Sequence, residues 1–341
     1  MRVEVSKKME ERPGAVRSEF LFCYDARMCN PNGDPDENHP RIDTVTDKNL
    51  VTEFRLKRTI RDYLAKEKPI FLREEIKNEQ GDRKTIDELA EPEIEEYKKN
   101  NKFSIKNALL KKYIDLRLFG LLFAAKGIEV KGKKTKQSIN FKQTGPVQFA
   151  IGQSLNRVEK IPIRMTRVAP TKEEARGGAF GEKWILRYSF ITFHGFLNDF
   201  VAKEAHLSEE DVLDMMRAMW FGTTGLSTTS KYGQQSRLLV RVKYKNSYAY
   251  IGDLDQMITL DPDEKKLEDI SQVVLNVSDL LKALSDTKDD LDEIEWICDN
   301  ELRCKRDETI GPFGSLIKEW SEETRVNVVN LLEQWHTKEV N

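Results

Sequence analysis

The carboxylates with the most suggestive spacing lie in one stretch, MCNPNGDPDENHPRIDTVT, which carries Asp34, Asp36 and Asp43 close behind Asp25. Clustered aspartates can hold Mg²⁺ or act on an RNA 2′-OH. Asn and Asp beside Pro and Gly also build side-chain-to-backbone turns, and composition favours that reading. Other catalytic chemistry is sparse. The chain has no P-loop, and Arg176-Gly177-Gly178-Ala179-Phe180-Gly181-Glu182 precedes a strand instead of joining a strand to a helix. Cys23 and Cys29, and again Cys298 and Cys304, lack C-x-x-C spacing, so buried thiols are expected ahead of zinc. The four histidines are scattered, and no nucleophile elbow occurs. No catalytic residue, metal or cofactor is expected.

Cations are better organised. Arg55, Lys57, Arg58 and Arg61 recur along one expected helix and could bring guanidinium and ammonium groups to phosphates. The formal net charge of −2 hides a split. From Asp253 onward, 10 Lys and Arg face 23 Asp and Glu, a net of −13, which leaves +11 on residues 1–252. Within that part, 102–142 holds 11 basic residues against Asp115 and Glu129. Such asymmetry suits a basic surface for a polyanion, although solvated lysine-rich loops produce the same count.

The elements that must carry these residues follow from periodicity. Ser18 to Arg27 alternates as a strand, with Phe20, Phe22 and Tyr24 on one face and Leu21 and Cys23 on the other. A long irregular loop follows. Thr46 or Asp47 is expected to cap a helix to about Lys66, with Leu50, Phe54, Leu56, Ile60 and Leu64 on its apolar face. Lys57 and Arg61 fall inside that apolar sector, as packed stems or as members of buried ion pairs. Residues 67–143 are charged and weakly periodic, and are read as an insertion without a second core. Val147, Phe149 and Ile151 share a strand face, and Trp184 to Phe196 forms another strand after a turn-rich stretch. Ser208 starts a helix with Asp211 at capping-box spacing, and Val212, Met215, Met216 and Met219 form its buried stripe. After a small-residue loop, Arg237, Arg241 and Lys243 alternate against Leu238, Val240, Val242 and Tyr244. That pattern fits a basic sheet front for nucleic acid or an ordinary exposed face. Amphipathic helices are expected at about 271–285 and 315–336.

At 341 residues, with 39% hydrophobic and 33% charged, the chain can form a packed core in one large domain or two ordinary ones. No apolar run reaches the roughly 18 residues of a membrane span. The N-terminus lacks a signal-peptide core, so a cytoplasmic location and no membrane partner are expected.

Three elements taken together resemble one known family. They are Asn30-Pro31-Asn32-Gly33-Asp34-Pro35, then Pro40-Arg41-Ile42-Asp43, then the helix Arg55 to Tyr63. Thr144-Gly145-Pro146-Val147-Gln148-Phe149 and Lys231-Tyr232-Gly233-Gln234-Gln235-Ser236-Arg237 add to them. The set resembles the CRISPR-associated Cas-seven family, most of all its type I-B and I-C backbone subunits, over about residues 17–250. The resemblance implies an α+β fold: a modified RNA-recognition-motif (ferredoxin-like) palm over 17–66 and 144–250. Fingers would fill 67–143 and a thumb loop 222–236; beyond the resemblance, 251–341 reads from its charge and amphipathic pattern as an acidic helical region. It also implies a non-catalytic subunit that stacks along the CRISPR RNA spacer and presents it to target DNA. Partners would be other copies of itself and the other Cascade subunits: a large subunit, a 5′-handle-binding subunit and a crRNA-processing endonuclease. Expected RNA contacts are Asn30, Asn32, Arg41, Arg55, Lys57, Arg58, Arg61, Arg164, Arg167, Lys231, Gln234, Gln235 and Arg237. Related type III subunits cleave RNA with an aspartate of this first loop, so a metal-dependent ribonuclease using Asp34, Asp36 or Asp43 is the alternative.

Overall fold

The computed structural model describes residues 14–36, 39–73, 76–77, 81–129, 135–166 and 180–339. The chain opens with β1 (Ser18–Cys29), β2 (Lys48–Val51) and α1 (Glu53–Leu64). Four short helices follow: α2 (Ile86–Leu89), α3 (Glu91–Lys99), α4 (Ile105–Lys112) and α5 (Ile114–Phe119). Then come β3 (Gly120–Ile128), β4 (Gln137–Thr144), β5 (Val147–Phe149), β6 (Gly152–Arg157), β7 (Lys160–Thr166) and β8 (Phe180–Leu197). Helices α6 (Asp199–Ala205) and α7 (Glu209–Thr224) lead to β9 (Gln234–Tyr244). The last third holds β10 (Thr259–Asp261), β11 (Val274–Asn276), α8 (Ser278–Asp286), β12 (Leu291–Cys298), β13 (Arg303–Arg306) and β14 (Thr309–Pro312). It closes with α9 (Phe313–Thr324), β15 (Asn327–Asn330) and α10 (Leu331–Glu339). The fold is mixed α and β, and no helix among the described residues is long and apolar enough to cross a membrane.

Two compact units emerge. One comprises 17–67, 147–197 and 216–341; the other comprises 1–16, 68–146 and 198–215. The first is built on a sheet of order β15-β12-β9-β1-β8-β6-β2, with β5 and β7 also paired to β8. Its centre, β9-β1-β8-β6, is antiparallel throughout. Taken along the chain, β1, α1, β6, β8, α7 and β9 follow a βαββαβ order. β1 is buried on both faces, as its alternation predicts. Leu21 and Cys23 join Leu238, Val240 and Val242 under Leu281 and Trp320 of the C-terminal region. On the opposite face Phe20 lies 6.4 Å from Phe149 and Tyr24 stacks on Phe193 at 6.2 Å.

The structure corrects the start of α1. Residues 48–51 pair with β6 as a strand, and the helix begins only after Thr52, whose Oγ1 accepts the Arg55 N–H at 3.4 Å. Leu50 therefore belongs to a strand. Phe54, expected in the apolar face, is 73% exposed, while Leu56, Ile60 and Leu64 are buried. Ile151 likewise leaves the face of Val147 and Phe149, because the strand breaks there and it is exposed. At the other end of the helical layer, a Cβ on Gly222 would meet the Tyr63 side chain at 3.1 Å and the Thr59 carbonyl at 3.3 Å. The end of α7 can therefore approach α1 closely only with a glycine there.

The second unit has its own core, contrary to expectation. Phe71, Ala90, Ile94, Leu109, Leu116, Leu121 and Phe123 pack together with the β3/β4 hairpin. Helices of four to nine residues are too short to show a clear period in sequence. Ser208 and Asp211 do form a reciprocal cap, each side chain accepting the other's N–H at 3.2 Å. Val212, Met215, Met216 and Met219 are fully buried as expected.

The C-terminal region is not simply helical. The expected 271–285 helix is shortened to α8 by β11, and the expected 315–336 helix is divided by β15 after Arg325, at φ 63°. β10, β11, β13 and β14 form a separate sheet, while β12 and β15 extend the main one.

Candidate nucleic-acid interface

The first loop is a braced structure. Gly33 bridges Pro40 and Ile42 bridges Asn49, both antiparallel. Buried Asn32 accepts the Thr52 N–H at 2.8 Å and its Oγ1–H at 3.0 Å, tying the loop to the cap of α1. Asn30 is also buried; its N–H donates to Ser230 O at 2.9 Å, and its carbonyl accepts from Lys231 Nζ at 2.7 Å. Thus two residues separated by one position hold the start of α1 and the segment before β9.

That segment is shorter than expected. α7 runs to Thr224 and β9 starts at Gln234, so the loop read at 222–236 is reduced to 225–233. Lys183 Nζ donates to Thr229 O at 2.5 Å, and Gln234 Nε2 donates to Lys231 O at 3.1 Å. Gly233 sits at φ 107°, and a Cβ there would stand 2.3 Å from Arg27 O. Only glycine lets the segment join the end of β1 this closely.

Around these braces the structure gathers Arg55, Arg58, Lys183 and Lys231. Burial, and then the charges of Arg55, Lys183 and Arg58, pull the Lys231 ammonium down to about 8. Arg55 also donates to Thr59 Oγ1 at 3.0 Å, and Arg58 lies 3.5 Å from Asp62 across one turn. Arg61 is half-buried on the same helix. Lys57 keeps the buried stem expected of its sector, and its Nζ donates to Gln148 Oε1 at 3.2 Å. Burial lowers its basicity. Arg41 is fixed through its backbone to Asn32 and Leu50; its Nε is shielded from solvent with no acceptor among the described residues. Gln235 is half-buried opposite Asp25 in the β1–β9 register. Lys183 was missed by sequence reading because a single lysine before a long strand carries no pattern.

Three expected residues differ from these. Arg164 is exposed on β7 opposite Glu182, one position from the Ile163–Lys183 pair of the β7–β8 ladder. Arg167 lies outside the described residues. Arg237 is almost fully buried; it donates to Asp25 Oδ2 at 2.9 Å, to Glu301 Oε2 at 3.0 Å and to Asp299. Those carboxylates raise its basicity despite burial, and Tyr188 also donates to Asp25. Its neighbours on β9 are similarly occupied. Arg241 is wholly buried, 3.0 Å from Glu295, and Lys243 is 3.2 Å from Glu293. The expected basic sheet front is neutralised by β12 and covered.

The aspartates of the first loop form turns. Asp34 accepts the N–H groups of Asp36 at 3.0 Å and His39 at 2.9 Å. Asp43 accepts from Val45 N and Thr46 Oγ1 at 3.0 and 2.6 Å, which lowers its pKa. Among the described residues no three His, Cys, Asp or Glu side chains are grouped to hold a metal ion.

Comparison with known proteins adds an independent finding. The model of the family "CRISPR-associated protein Cas7" matches residues 16–278. A protein of that name from Haloferax volcanii is 31% identical over 307 residues, covering 86% of this chain and 90% of the relative. Among solved structures, a chain of a "CRISPR RNA-guided surveillance complex, pre-nicking" matches with a TM-score of 0.49 at 11% identity, covering 90% of this chain and all of that one. A chain of a second "CRISPR RNA-guided surveillance complex" gives 0.46 at 12% identity, covering 85% of this chain and 90% of that one.

Proposed function

The chain belongs to the CRISPR-associated Cas7 family, and on that premise we propose that it is the RNA-binding backbone subunit of a type I surveillance complex. Copies assemble along the spacer of the CRISPR RNA, grip its phosphates and leave its bases to pair with target DNA. The large subunit, the 5′-handle-binding subunit and the crRNA-processing endonuclease are its neighbours, and it works in the cytoplasm. The observation that carries the RNA contact is the braced cluster of Arg55, Arg58, Lys183 and Lys231. Lys183 and Lys231 donate to backbone carbonyls, which are neutral, so their charge stays available for a phosphate. Arg41, Arg61, Asn30, Asn32, Lys57, Gln234 and Gln235 flank or position that cluster, Arg164 serves the RNA from the β7/β8 side, and Arg167 is a further contact.

The palm reading is supported by the βαββαβ order, with fingers in the 68–146 part of the other unit and 225–233 as the thumb segment. A guide binder must read backbone and not sequence, since pairing supplies specificity. Purification tests this directly. RNA of uniform length should accompany the protein, and absence of RNA, or one fixed short sequence, would overturn the reading. The turn-forming roles of Asp34 and Asp43 favour a subunit that does not cut. End-labelled complementary RNA incubated with assembled complex and Mg²⁺ or Mn²⁺ should therefore stay intact. Regular cuts lost in Asp34→Ala, Asp36→Ala or Asp43→Ala would move the protein to the ribonuclease class.

A further inference from the structure

Three of the four cysteines lie in one apolar cluster. Cys23 and Cys304 are fully buried in it, and half-buried Cys298 packs against it. Strand register separates them into a pair and a bystander. Leu238 pairs with Cys23 on one side and with Cys298 on the other, so those two stand two strand spacings apart. That is roughly 9–10 Å between Cα atoms, beyond what a disulfide bridges. Cys298 and Cys304 are related differently. Cys298 ends β12, Cys304 is the second residue of β13, and the Leu302 N–H closes the turn between them by donating to Asp299 O at 3.2 Å. The two thiols are hydrogen-bonded to each other. The Cys298 thiol donates to Asp299 O at 3.4 Å, which leaves its sulfur as the acceptor for Cys304. That bond, and then burial, hold the Cys304 thiol protonated, so the reduced pair is the resting state. The same turn serves Arg237: Asp299 and Glu301 accept from its guanidinium, and the Asp299 N–H donates to its carbonyl at 2.9 Å. A covalent bond across the turn would fasten β12 of the main sheet to β13 of the second sheet at that point.

We propose that Cys298 and Cys304 are a redox pair that closes to a disulfide when the protein meets a small-molecule disulfide, stapling the two sheets across the turn between β12 and β13. This goes beyond the RNA-binding reading and is independent of it. Cys298, the thiol that solvent reaches, gives its proton to water and attacks one sulfur of the external disulfide. The external S–S bond breaks, and the departing thiolate takes up a proton. Cys304 then loses its proton and attacks the Cys298 sulfur; the mixed disulfide breaks and the second small thiol leaves. Two protein thiols are oxidised, and one external disulfide is reduced to two thiols. In a reducing compartment the pair stays open, and it closes under oxidative load.

The test incubates the full native chain with oxidised glutathione, blocks the remaining thiols and maps the product by mass spectrometry. Trypsin cleaves after Arg303, so a Cys298–Cys304 bond joins two otherwise separate peptides. Wild type should lose two of its four titratable thiols and yield that linked peptide. Its urea midpoint should rise, and dithiothreitol should reverse the rise. Cys298→Ser, changed at the half-buried position, should fold like the reduced protein, form no linked peptide and show no midpoint gain with the oxidant. Cys23→Ala should still form the bond. Four thiols surviving in the native protein would overturn the proposal. So would a glutathione adduct on Cys298 that Cys304 never displaces, a bond that uses Cys23, or a bond between chains. A linked peptide without the midpoint rise would overturn the staple.

Discussion

Strand β9 and the cluster formed by α1 with Lys183 and Lys231 both gather closely spaced cations, yet the structure partners their charges differently. Arg237, Arg241 and Lys243 end on carboxylates of the strand and turn beside them: Asp25, Asp299, Glu301, Glu295 and Glu293. Lys183 and Lys231 end on carbonyl oxygens, and burial, followed by the charges of neighbouring cations, lowers the basicity of Lys231. Alternating basic residues in a strand are therefore no guide to a nucleic-acid face. What matters is whether the fold brings carboxylates to them.

The largest effect should come from breaking the neutralised set. Arg241→Met leaves buried Glu295 with Lys243, 3.6 Å away, as its remaining cation, which costs about 1–3 kcal/mol and should appear as a lower urea midpoint. Adding Glu295→Leu should restore most of it, because a well-packed apolar pair replaces a buried ion pair at little cost. RNA affinity of the folded fraction should stay unchanged in both. An Arg241 variant that folds normally but releases RNA would reverse the comparison.

On the α1 cluster the expectation inverts. Arg55→Ala with Arg58→Ala should weaken RNA binding by roughly tenfold or more, as losing charged hydrogen bonds to phosphate does. Stability should change by about 1 kcal/mol or less, because Arg58 and Asp62 are both about half exposed. Filter binding and urea unfolding on the same preparation separate the two. Unfolding of the double variant would make these arginines structural.

A smaller effect should follow pH. In the free protein Lys231 titrates near 8, below its ordinary value, so above that pH it must take up a proton to meet a phosphate. Affinity should then fall by up to about tenfold per pH unit above 8. In Lys231→Arg the affinity should stay level over the same range. The same shift has the opposite sign for folding: the unfolded chain holds this proton more tightly, so stability rises with pH between about 8 and 10.5.

Local patterns were legible where local physics decides. The double-faced alternation of β1, the Ser208–Asp211 cap and the methionine stripe of α7 all follow from neighbours in sequence. The start of α1 did not, since Leu50 fits a helical period equally well and only pairing with β6 makes it a strand. Nor did the fate of Arg237 and Arg241, whose acidic partners lie more than fifty residues away, on β1 and on or beside β12. Of the candidate site, the first loop and α1 were visible through their motifs. Lys183, Gln148 and the exposure of Phe54 needed the tertiary braces that Asn30, Asn32 and Gly233 provide.

The most direct test of the central claim is the salt dependence of RNA binding by wild type and by Lys183→Ala with Lys231→Ala. Each phosphate neutralised in a single strand contributes about 0.7 to the slope of log affinity against log salt. If both ammonium groups face phosphates, the double variant should lose about 1.4 from that slope while its urea midpoint stays near wild type. An unchanged slope would contradict the account and leave Lys183 and Lys231 as braces of the fold alone.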